Sequence, residues 1–295
     1  MLLQLTQKEP NVLGRFDYER PTSVTEAARL LREGGPSAAV LAGGTDLLVD
    51  LRGGRRDVQL LVDVKGIKAL RRLDVDRAGG LAIGAAVPLN EILEHAVLRR
   101  VLPGLAHAAE SIATYQLRNR ATAVGNLCNA SPAADLGPIL LTLDASIVAH
   151  SAHGERTVGI AQLFTGVKKT SLRPGEIATE IRIPAPEPKL RSAFLKQQRL
   201  RGHDLALVNV AGTYAPATGL LRLAFGSCAP TPLALSPIDT KGVSLEAVAD
   251  EAGRVALAAA SPISDVRASA DYRRAVLPVL VKRLVATLLQ EGGAP

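Results

Sequence analysis

The stretches LAGGTD (residues 41–46) and TAVGNLCNASPAAD (residues 122–135) decide how this chain folds. The first follows an apolar segment that is typical of a buried strand, and its paired glycines allow the backbone to approach a ligand closely. Successive N–H groups in such a turn form a nest for a phosphate, and Thr45 adds a hydroxyl donor. The alternative interpretation is an ordinary tight turn, because glycine pairs mark turns generally.

The second stretch is dense in small and hydrogen-bonding side chains and has no hydrophobic period. Because buried polar groups need partners, this composition beside a predicted apolar helix over 136–143 indicates a ligand with many donors and acceptors. Asp135 is a candidate acceptor for a ribityl hydroxyl, and capping of that helix is its alternative role. The chain has neither G-x-G-x-x-G nor G-x-x-x-x-G-K-[ST], which excludes the Rossmann and P-loop fingerprints.

The flanking sequence predicts a β-α-β-like beginning and then a longer mixed region. A capping-box pattern at 23–26 opens a helix, and Gly34 and Gly35 end it. We expect strands over 38–41, 59–64, 81–87 and 175–183, short helices within 89–111, and a hairpin over 146–160.

Three prolines over 184–188 indicate a domain boundary. Three strands and then two helices are predicted beyond them, over 192–198, 205–214, 220–227, 245–259 and 272–289. That order predicts an α+β domain with helices on one face of an antiparallel sheet. We therefore divide the chain into a first domain over 1–185, with subdomains of about 1–64 and 65–185, and a C-terminal domain over 186–295.

Composition excludes several classes of protein. Apolar residues make up 47% of the chain and charged residues 21%, which is ordinary globular usage and excludes a wholly disordered chain. No stretch reaches the roughly 20 apolar residues that a membrane-spanning helix needs. Aromatic residues are only 3%, which argues against base-stacking nucleic-acid modules. The net charge of +7 suits an anionic ligand or an acidic partner without identifying either.

Cysteine and histidine usage limits the metal chemistry of the chain. Its two cysteines exclude a disulfide scaffold, and also an iron–sulfur or structural zinc site built by this chain alone. His150 and His153 fall on opposite faces of the predicted hairpin, so we expect no metal site there. We expect no secretory signal and a reducing, cytoplasmic location.

Taken together, the two stretches resemble the FAD-binding subunits of molybdenum hydroxylases, such as the medium chain of carbon monoxide dehydrogenase and the flavin portion of xanthine dehydrogenase. FDYERP (16–21), GEIATEIRIP (175–184) and FLKQQRLRGHDLA (194–206) match the same family in order. The resemblance covers about residues 14–292. It implies an α+β flavin-binding fold of the vanillyl-alcohol-oxidase (PCMH) type, in which two subdomains hold FAD. A C-terminal domain of a three-stranded antiparallel sheet plus helices follows them.

The resemblance also implies which residues hold the cofactor. Two loops wrap the pyrophosphate, other residues line the cofactor or pack on its ring, and one lysine lies near that ring. In this sequence these are Leu41, Ala42, Gly43, Gly44, Thr45 and Asp46 in the first loop, Thr122, Ala123, Val124, Gly125 and Asn126 in the second, and Ile112, Ala113, Cys128, Asn129, Asp135, Ile177 (or Ala178) and Lys196 elsewhere.

Val124 departs from the family, which usually has two glycines before Asn126. A β-branched residue disfavours positive φ, so we expect position 124 to take ordinary extended angles. Two weaker candidates remain open. We expect Cys128 to be a packing residue rather than a nucleophile, since no His lies nearby in sequence, although one could approach it in space. His203 with Asp204 forms either a donor pair near the flavin or a solvated turn.

The function implied by the resemblance is electron transfer. A molybdenum-cofactor large subunit would oxidise the substrate, and a 2Fe-2S small subunit would pass electrons to FAD in this chain. NAD, a quinone or another acceptor would take them onward, within a heterohexamer, and no residue of this chain would be a catalytic acid or base. The alternatives are a self-contained flavin oxidoreductase and a flavin-free assembly subunit, for which Val124 is the main argument.

Overall fold

The structure, a computed structural model, describes residues 13–200 and 203–290. The strands are β1 (Asp17–Glu19), β2 (Ala38–Leu41), β3 (Leu60–Asp63), β4 (Leu73–Val75), β5 (Leu81–Gly84), β6 (Ser146–Ser151), β7 (Gly154–Gly159), β8 (Phe164–Gly166), β9 (Lys169–Thr170), β10 (Ile177–Ile183), β11 (Arg191–Gln197), β12 (Val208–Ala215), β13 (Leu220–Gly226), β14 (Leu233–Ala234) and β15 (Ile238–Asp239). The α-helices are α1 (Val24–Gly34), α2 (Leu47–Arg52), α3 (Leu89–Glu94), α4 (Ala96–Val101), α5 (Pro103–Glu110), α6 (Tyr115–Arg118), α7 (Ala123–Cys128), α8 (Leu136–Thr142), α9 (Ile160–Leu163), α10 (Leu245–Ala259) and α11 (Ala270–Leu289).

A small parallel sheet, in the order β1-β3-β2, presents the first glycine turn. Helix α1 begins where the capping box predicted, since the N–H of Glu26 donates to Ser23 Oγ at 3.1 Å. The Glu26 carboxylate reaches back one residue further than expected and accepts from the N–H of Thr22 at 2.8 Å. Because β2 and β3 run parallel, with Leu41 opposite Asp63, both strands end at one edge of the sheet, and the turn 42–46 lies there.

A second, antiparallel sheet has the order β4-β5-β10-β6-β7. The predicted hairpin over 146–160 is its β6–β7 edge. The strand expected over 81–87 ends at Gly84, because the chain turns there and the N–H of Ala85 donates to Thr179 on β10. Six helices, α3 to α8, lie between β5 and β6 in the sequence and carry the second glycine stretch.

The C-terminal sheet is buried on both faces. Its order is β11-β12-β13-β14, with the short β15 also paired to β13. Along β12 the side chains alternate: Val210 packs in the core formed with α10 and α11, whereas Ala211 belongs to the core of the preceding region. The hydroxyl of Thr213 also points that way and donates to the carbonyl of Thr142 at 3.1 Å.

The second face of this sheet was not anticipated from the sequence, which predicted helices on one face. Helix α11 covers that face as expected, with α10 packed against α11, and α5 and α8 from before the prolines cover the other. The two segments of the chain therefore share a buried sheet. Among residues 13–200 and 203–290, no helix is long and apolar enough to cross a membrane.

One buried hydrogen bond between α5 and β11 tests this packing. The N–H of Gly104 donates to Ser192 Oγ at 3.0 Å, and a Cβ on Gly104 would lie 2.7 Å from the backbone nitrogen of Ala193. Ser192→Ala leaves that N–H buried without an acceptor, so we expect the free energy of unfolding to fall by about 1–3 kcal/mol. Urea denaturation measures the loss. Ser151→Ala, in the exposed hairpin, is the control and should change stability by no more than about 0.5 kcal/mol. Equal effects of the two variants would contradict the packing described.

Candidate functional site

A cleft of about 670 Å³ lies where the first glycine turn, the second glycine stretch and the C-terminal sheet meet. Its volume is within the usual range for small-molecule sites, roughly 300–1,000 Å³. The walls come from the turn 42–46, the loop 112–113, α7, the start of β10 and the end of β11.

The first turn is pressed against the chain that leads into α7. A Cβ on Gly43 would lie 2.2 Å from the carbonyl oxygen of Arg120, so only glycine fits at this position. Gly44 has φ +76°, in the left-handed region that glycine adopts without strain. The turn therefore needs both glycines, one for a close approach between segments and one for its own backbone angles.

The second stretch is helical where the sequence analysis expected a loop. Thr122 caps α7, and its Oγ1 accepts from the N–H of Gly125 at 3.0 Å. Val124 is the second residue of that helix and is 3% exposed. The extended backbone expected for Val124 is wrong, because the Thr122 cap starts the helix one residue earlier. The related expectation that its φ is not positive is confirmed, so the side chain is unstrained.

The polar side chains of this stretch have different surroundings. Asn126 Oδ1 is buried and has no hydrogen-bond partner among the described residues, although Asn126 lines the cleft. Asn129 Oδ1 accepts from Lys168 Nζ at 2.6 Å. Burial raises the pKa of Cys128 to about 12, so its thiol is protonated at neutral pH and is no nucleophile.

Asp135 and Lys196 form a buried ion pair in the wall of the cleft. Asp135 Oδ2 lies 2.8 Å from Lys196 Nζ, and the two side chains are 7% and 6% exposed. Asp135 Oδ1 accepts from Asn209 Nδ2 at 2.9 Å, and Lys196 also donates to the carbonyl of Ser111 at 3.1 Å. Burial raises the pKa of Asp135, and the ammonium group opposes that rise. The carboxylate makes no capping bond to α8, so the capping interpretation is wrong.

The structure brings together sixteen of the eighteen residues that the resemblance assigned to the cofactor. Leu41 and Ala123 do not line the cleft. Leu41 is 8% exposed in the small core beneath the first turn, and Ala123 is 2% exposed in the main core. The apolar side chains of both residues are buried in these cores and so contribute nothing to the cleft wall. Ala178, the alternative to Ile177, also lines the cleft.

His203 and Asp204 both line the cleft. The Asp204 carboxylate is held by Arg199, at 3.1 Å from its Nη2, and this contact lowers the pKa of Asp204 to about 2. The sequence analysis missed Glu176, whose carboxylate also borders the cleft. Arg156 binds both oxygens of Glu176 at 2.7 Å and lowers its pKa. No local signal identifies this pair, since Arg156 lies on β7 and Glu176 lies just before β10, twenty positions further along the chain.

No group of three or more His, Cys, Asp or Glu side chains among residues 13–200 and 203–290 is arranged to hold a metal ion. The cleft instead offers backbone from two glycine-containing segments, amide side chains and internally paired charges. Such a lining suits an elongated organic ligand with several polar groups.

Comparison with protein families matches both parts of the chain. Residues 14–186 match the FAD binding domain in molybdopterin dehydrogenase. Residues 193–288 match the CO dehydrogenase flavoprotein C-terminal domain.

Individual proteins agree with these matches. A xanthine dehydrogenase FAD-binding subunit from Escherichia coli O157:H7 is 32% identical, over 94% of this chain and 97% of that protein. A carbon monoxide dehydrogenase medium chain from Hydrogenophaga pseudoflava is 33% identical, over 91% and 95%. The structure of carbon monoxide dehydrogenase from Hydrogenophaga pseudoflava, lacking the Mo-pyranopterin moiety of its cofactor, superimposes with a TM-score of 0.88 at 30% identity. That superposition covers 94% of this chain and 98% of that one. The predicted fold class and the predicted resemblance are confirmed.

The helical position of Val124 gives a direct test. Val124→Gly removes a buried side chain and places glycine within a helix, so we expect lower stability. Val124→Ala removes the valine side chain beyond its β-carbon but keeps a high helix propensity, so it is the matched control for the glycine variant. The glycine variant should be less stable than the alanine variant by about 1 kcal/mol, measured by chemical denaturation. If the glycine variant were as stable as the alanine variant, position 124 would have a backbone conformation that valine disfavours, contrary to the helix described.

The buried ion pair gives a second test. Asp135→Asn leaves the Lys196 ammonium buried without its counter-charge, and we expect a loss of about 3–5 kcal/mol in the free energy of unfolding. Combining it with Lys196→Met removes both charges and should recover most of that loss. Denaturation of the single and double variants measures the coupling. Additive losses in the double variant would contradict a direct pairing of these side chains.

Proposed function

Because the chain belongs to the family of FAD-binding domains of molybdopterin dehydrogenases, we propose that it is the electron-transfer flavoprotein subunit of a molybdenum-containing hydroxylase or dehydrogenase complex. Its partners in that complex are a large subunit with the molybdenum cofactor and a small subunit with 2Fe-2S clusters. Electrons reach this chain from the iron–sulfur subunit and leave it for NAD, a quinone or another acceptor.

The main observation that supports the proposal is the set of residues lining the cleft, which fits FAD. Two separate glycine-containing segments, around Gly43 and Gly125, border one continuous space, which suits a ligand that carries two phosphates. The orphaned acceptor Asn126 Oδ1 is buried at the same place. A buried acceptor needs a donor, and the hydroxyl and amino groups of FAD are donors.

When bound, FAD supplies the redox chemistry, because its ring system exchanges electrons singly or in pairs. We assign the pyrophosphate to residues 42–46 and 122–126, where Thr45 contributes a hydroxyl donor. Ile112 and Ala113 form an apolar wall for the ring. Leu117 and Leu205, which are exposed and also border the cleft, shield it from water.

The charges around the cleft favour a positioning role for the protein rather than acid–base catalysis. The carboxylates of Asp135, Glu176 and Asp204 are each paired with a basic side chain. The pKa values of Glu176 and Asp204 are lowered by this pairing, so these two carboxylates hold no proton to give at neutral pH. The unstrained position of Val124 also removes the main argument for a flavin-free subunit.

The proposal extends to the organisation of the chain. We assign FAD binding to residues 1–185 and the completion of the cleft to residues 186–295, since the segment between β10 and β11 connects two different sheets. The first twelve residues lie outside the described part of the structure. We also propose that the subunit works in the cytoplasm, within a heterohexamer of two copies of each subunit.

Flavin analysis tests this function. Purified chain should hold one FAD, released by acid and distinguished from FMN by chromatography. Dithionite should reduce that flavin, whereas a panel of purines and aldehydes should not, because the subunit that binds such substrates is separate. FMN in place of FAD, or a colourless chain that FAD does not reconstitute, would overturn cofactor binding. Reduction by one of these substrates would identify a self-contained oxidoreductase.

A further inference from the structure

The turn that connects α5 to α6, residues 110–113, forms part of the cleft wall through Ile112 and Ala113. We propose that Arg118, oriented by Asn90, is a positioning residue that fixes this turn against the flavin ring and sets the ring's reduction potential. The inference rests on the proposed function, since it takes the ring to be the neighbour of this turn.

Arg118 binds the turn through several backbone carbonyls at once. Its Nη1 donates to the carbonyl oxygens of Glu110 at 2.9 Å, Ile112 at 3.0 Å and Ala113 at 3.2 Å. The remaining carbonyl of the turn, that of Ser111, accepts from Lys196. Four consecutive carbonyls are therefore held by two cations, and hydrogen bonds from charged donors are stronger than neutral ones.

The guanidinium group of Arg118 is itself fixed by a hydrogen bond to Asn90. Its Nε donates to Asn90 Oδ1 at 3.2 Å, and Asn90 is 4% exposed on α3. The amide nitrogen of Asn90 donates to the carbonyl of Tyr115 at 2.9 Å and to Asn119 Oδ1 at 2.7 Å. These bonds fix the amide with its oxygen toward Arg118, so the side chain of Arg118 has one orientation.

The turn needs such support because its backbone is strained. Ala113 has φ +50°, a left-handed angle at which a Cβ is crowded. Strained residues persist only where the surrounding structure over-determines them. The carbonyls of Ile112 and Ala113, which lie on either side of the Ala113 α-carbon, are both bonded to Arg118, which holds Ala113 in this conformation and keeps Ile112 in the cleft wall.

Arg118 also contributes a charge that is not cancelled. Within residues 13–200 and 203–290, its partners are backbone carbonyls and an amide, and no carboxylate lies at ion-pair distance. Lys196, in contrast, is neutralised by Asp135. Arg118 itself does not border the cleft and acts across the turn that it holds. A positive charge near a redox group stabilises the reduced form, which carries more negative charge. Arg118 is therefore expected to raise the reduction potential of the flavin as well as to fix its wall.

The test compares Arg118→Met with the wild type and with Arg100→Met, which removes an exposed arginine from α4. We expect FAD to dissociate about tenfold more readily from Arg118→Met, the size expected when a contact that orients a binding group is lost. The visible circular dichroism of the bound flavin should change, and its midpoint potential should fall. In the FAD-free protein, amide hydrogen exchange at 111–114 should accelerate. Arg100→Met should match the wild type throughout.

Arg118→Lys separates the effect of the hydrogen-bond geometry of Arg118 from the effect of its positive charge. It also replaces Arg118→Met as the test if the methionine variant does not fold. It keeps the charge but cannot bind three carbonyls and Asn90 together, so the potential should stay near the wild-type value while amide exchange accelerates. Variants that lose stability but leave the flavin circular dichroism and the potential unchanged would overturn the inference, because Arg118 would then be merely structural. A wild-type chain without FAD would instead overturn the proposed function.

Discussion

The cleft depends on one buried ion pair, between Asp135 and Lys196. Removing two charges from water is costly, and the mutual attraction of the pair and its hydrogen bonds to Asn209 and Ser111 offset part of that cost. Asp135 precedes α8, whereas Lys196 and Asn209 lie on β11 and β12. The pair therefore forms only when the C-terminal sheet is docked on the helices before it, and the site requires both parts of the chain.

The doubly buried sheet explains polar residues that otherwise look misplaced on a core strand. Asn209 and Thr213 lie on the face of β12 opposite Val210. Asn209 donates to Ala134 and Asp135 just before α8, and Thr213 donates to Thr142 at the end of α8. A strand with only one covered face would expose these positions to water. Their burial ties the C-terminal sheet to the cofactor-binding part through directional bonds, which select one docked arrangement more sharply than apolar contact does.

Much of the fold was predictable because its signals are local. The cap at Ser23, the strand over 38–41 and the helix over 245–259 have the predicted positions. Helix α7 was missed because its polar, glycine-containing sequence has no hydrophobic period, although Thr122 is a good cap. The site residues followed from motifs, but the pairing of Asp135 with Lys196 joins positions 61 residues apart. Arg118 gave no signal either, since an arginine on a short exposed helix usually faces solvent.

The contact between Gly43 and the carbonyl of Arg120 affects how fast a bound ligand can leave the cleft. No side-chain atom fits between these two backbones, so the two glycine-containing segments are locked together at this point. The cleft widens there only if that contact breaks, and breaking it disturbs the packing of the small parallel sheet. A ligand that reaches both segments is then exchanged at the rate of a local opening reaction rather than of diffusion. We therefore expect a cofactor bound across both segments to leave the cleft slowly.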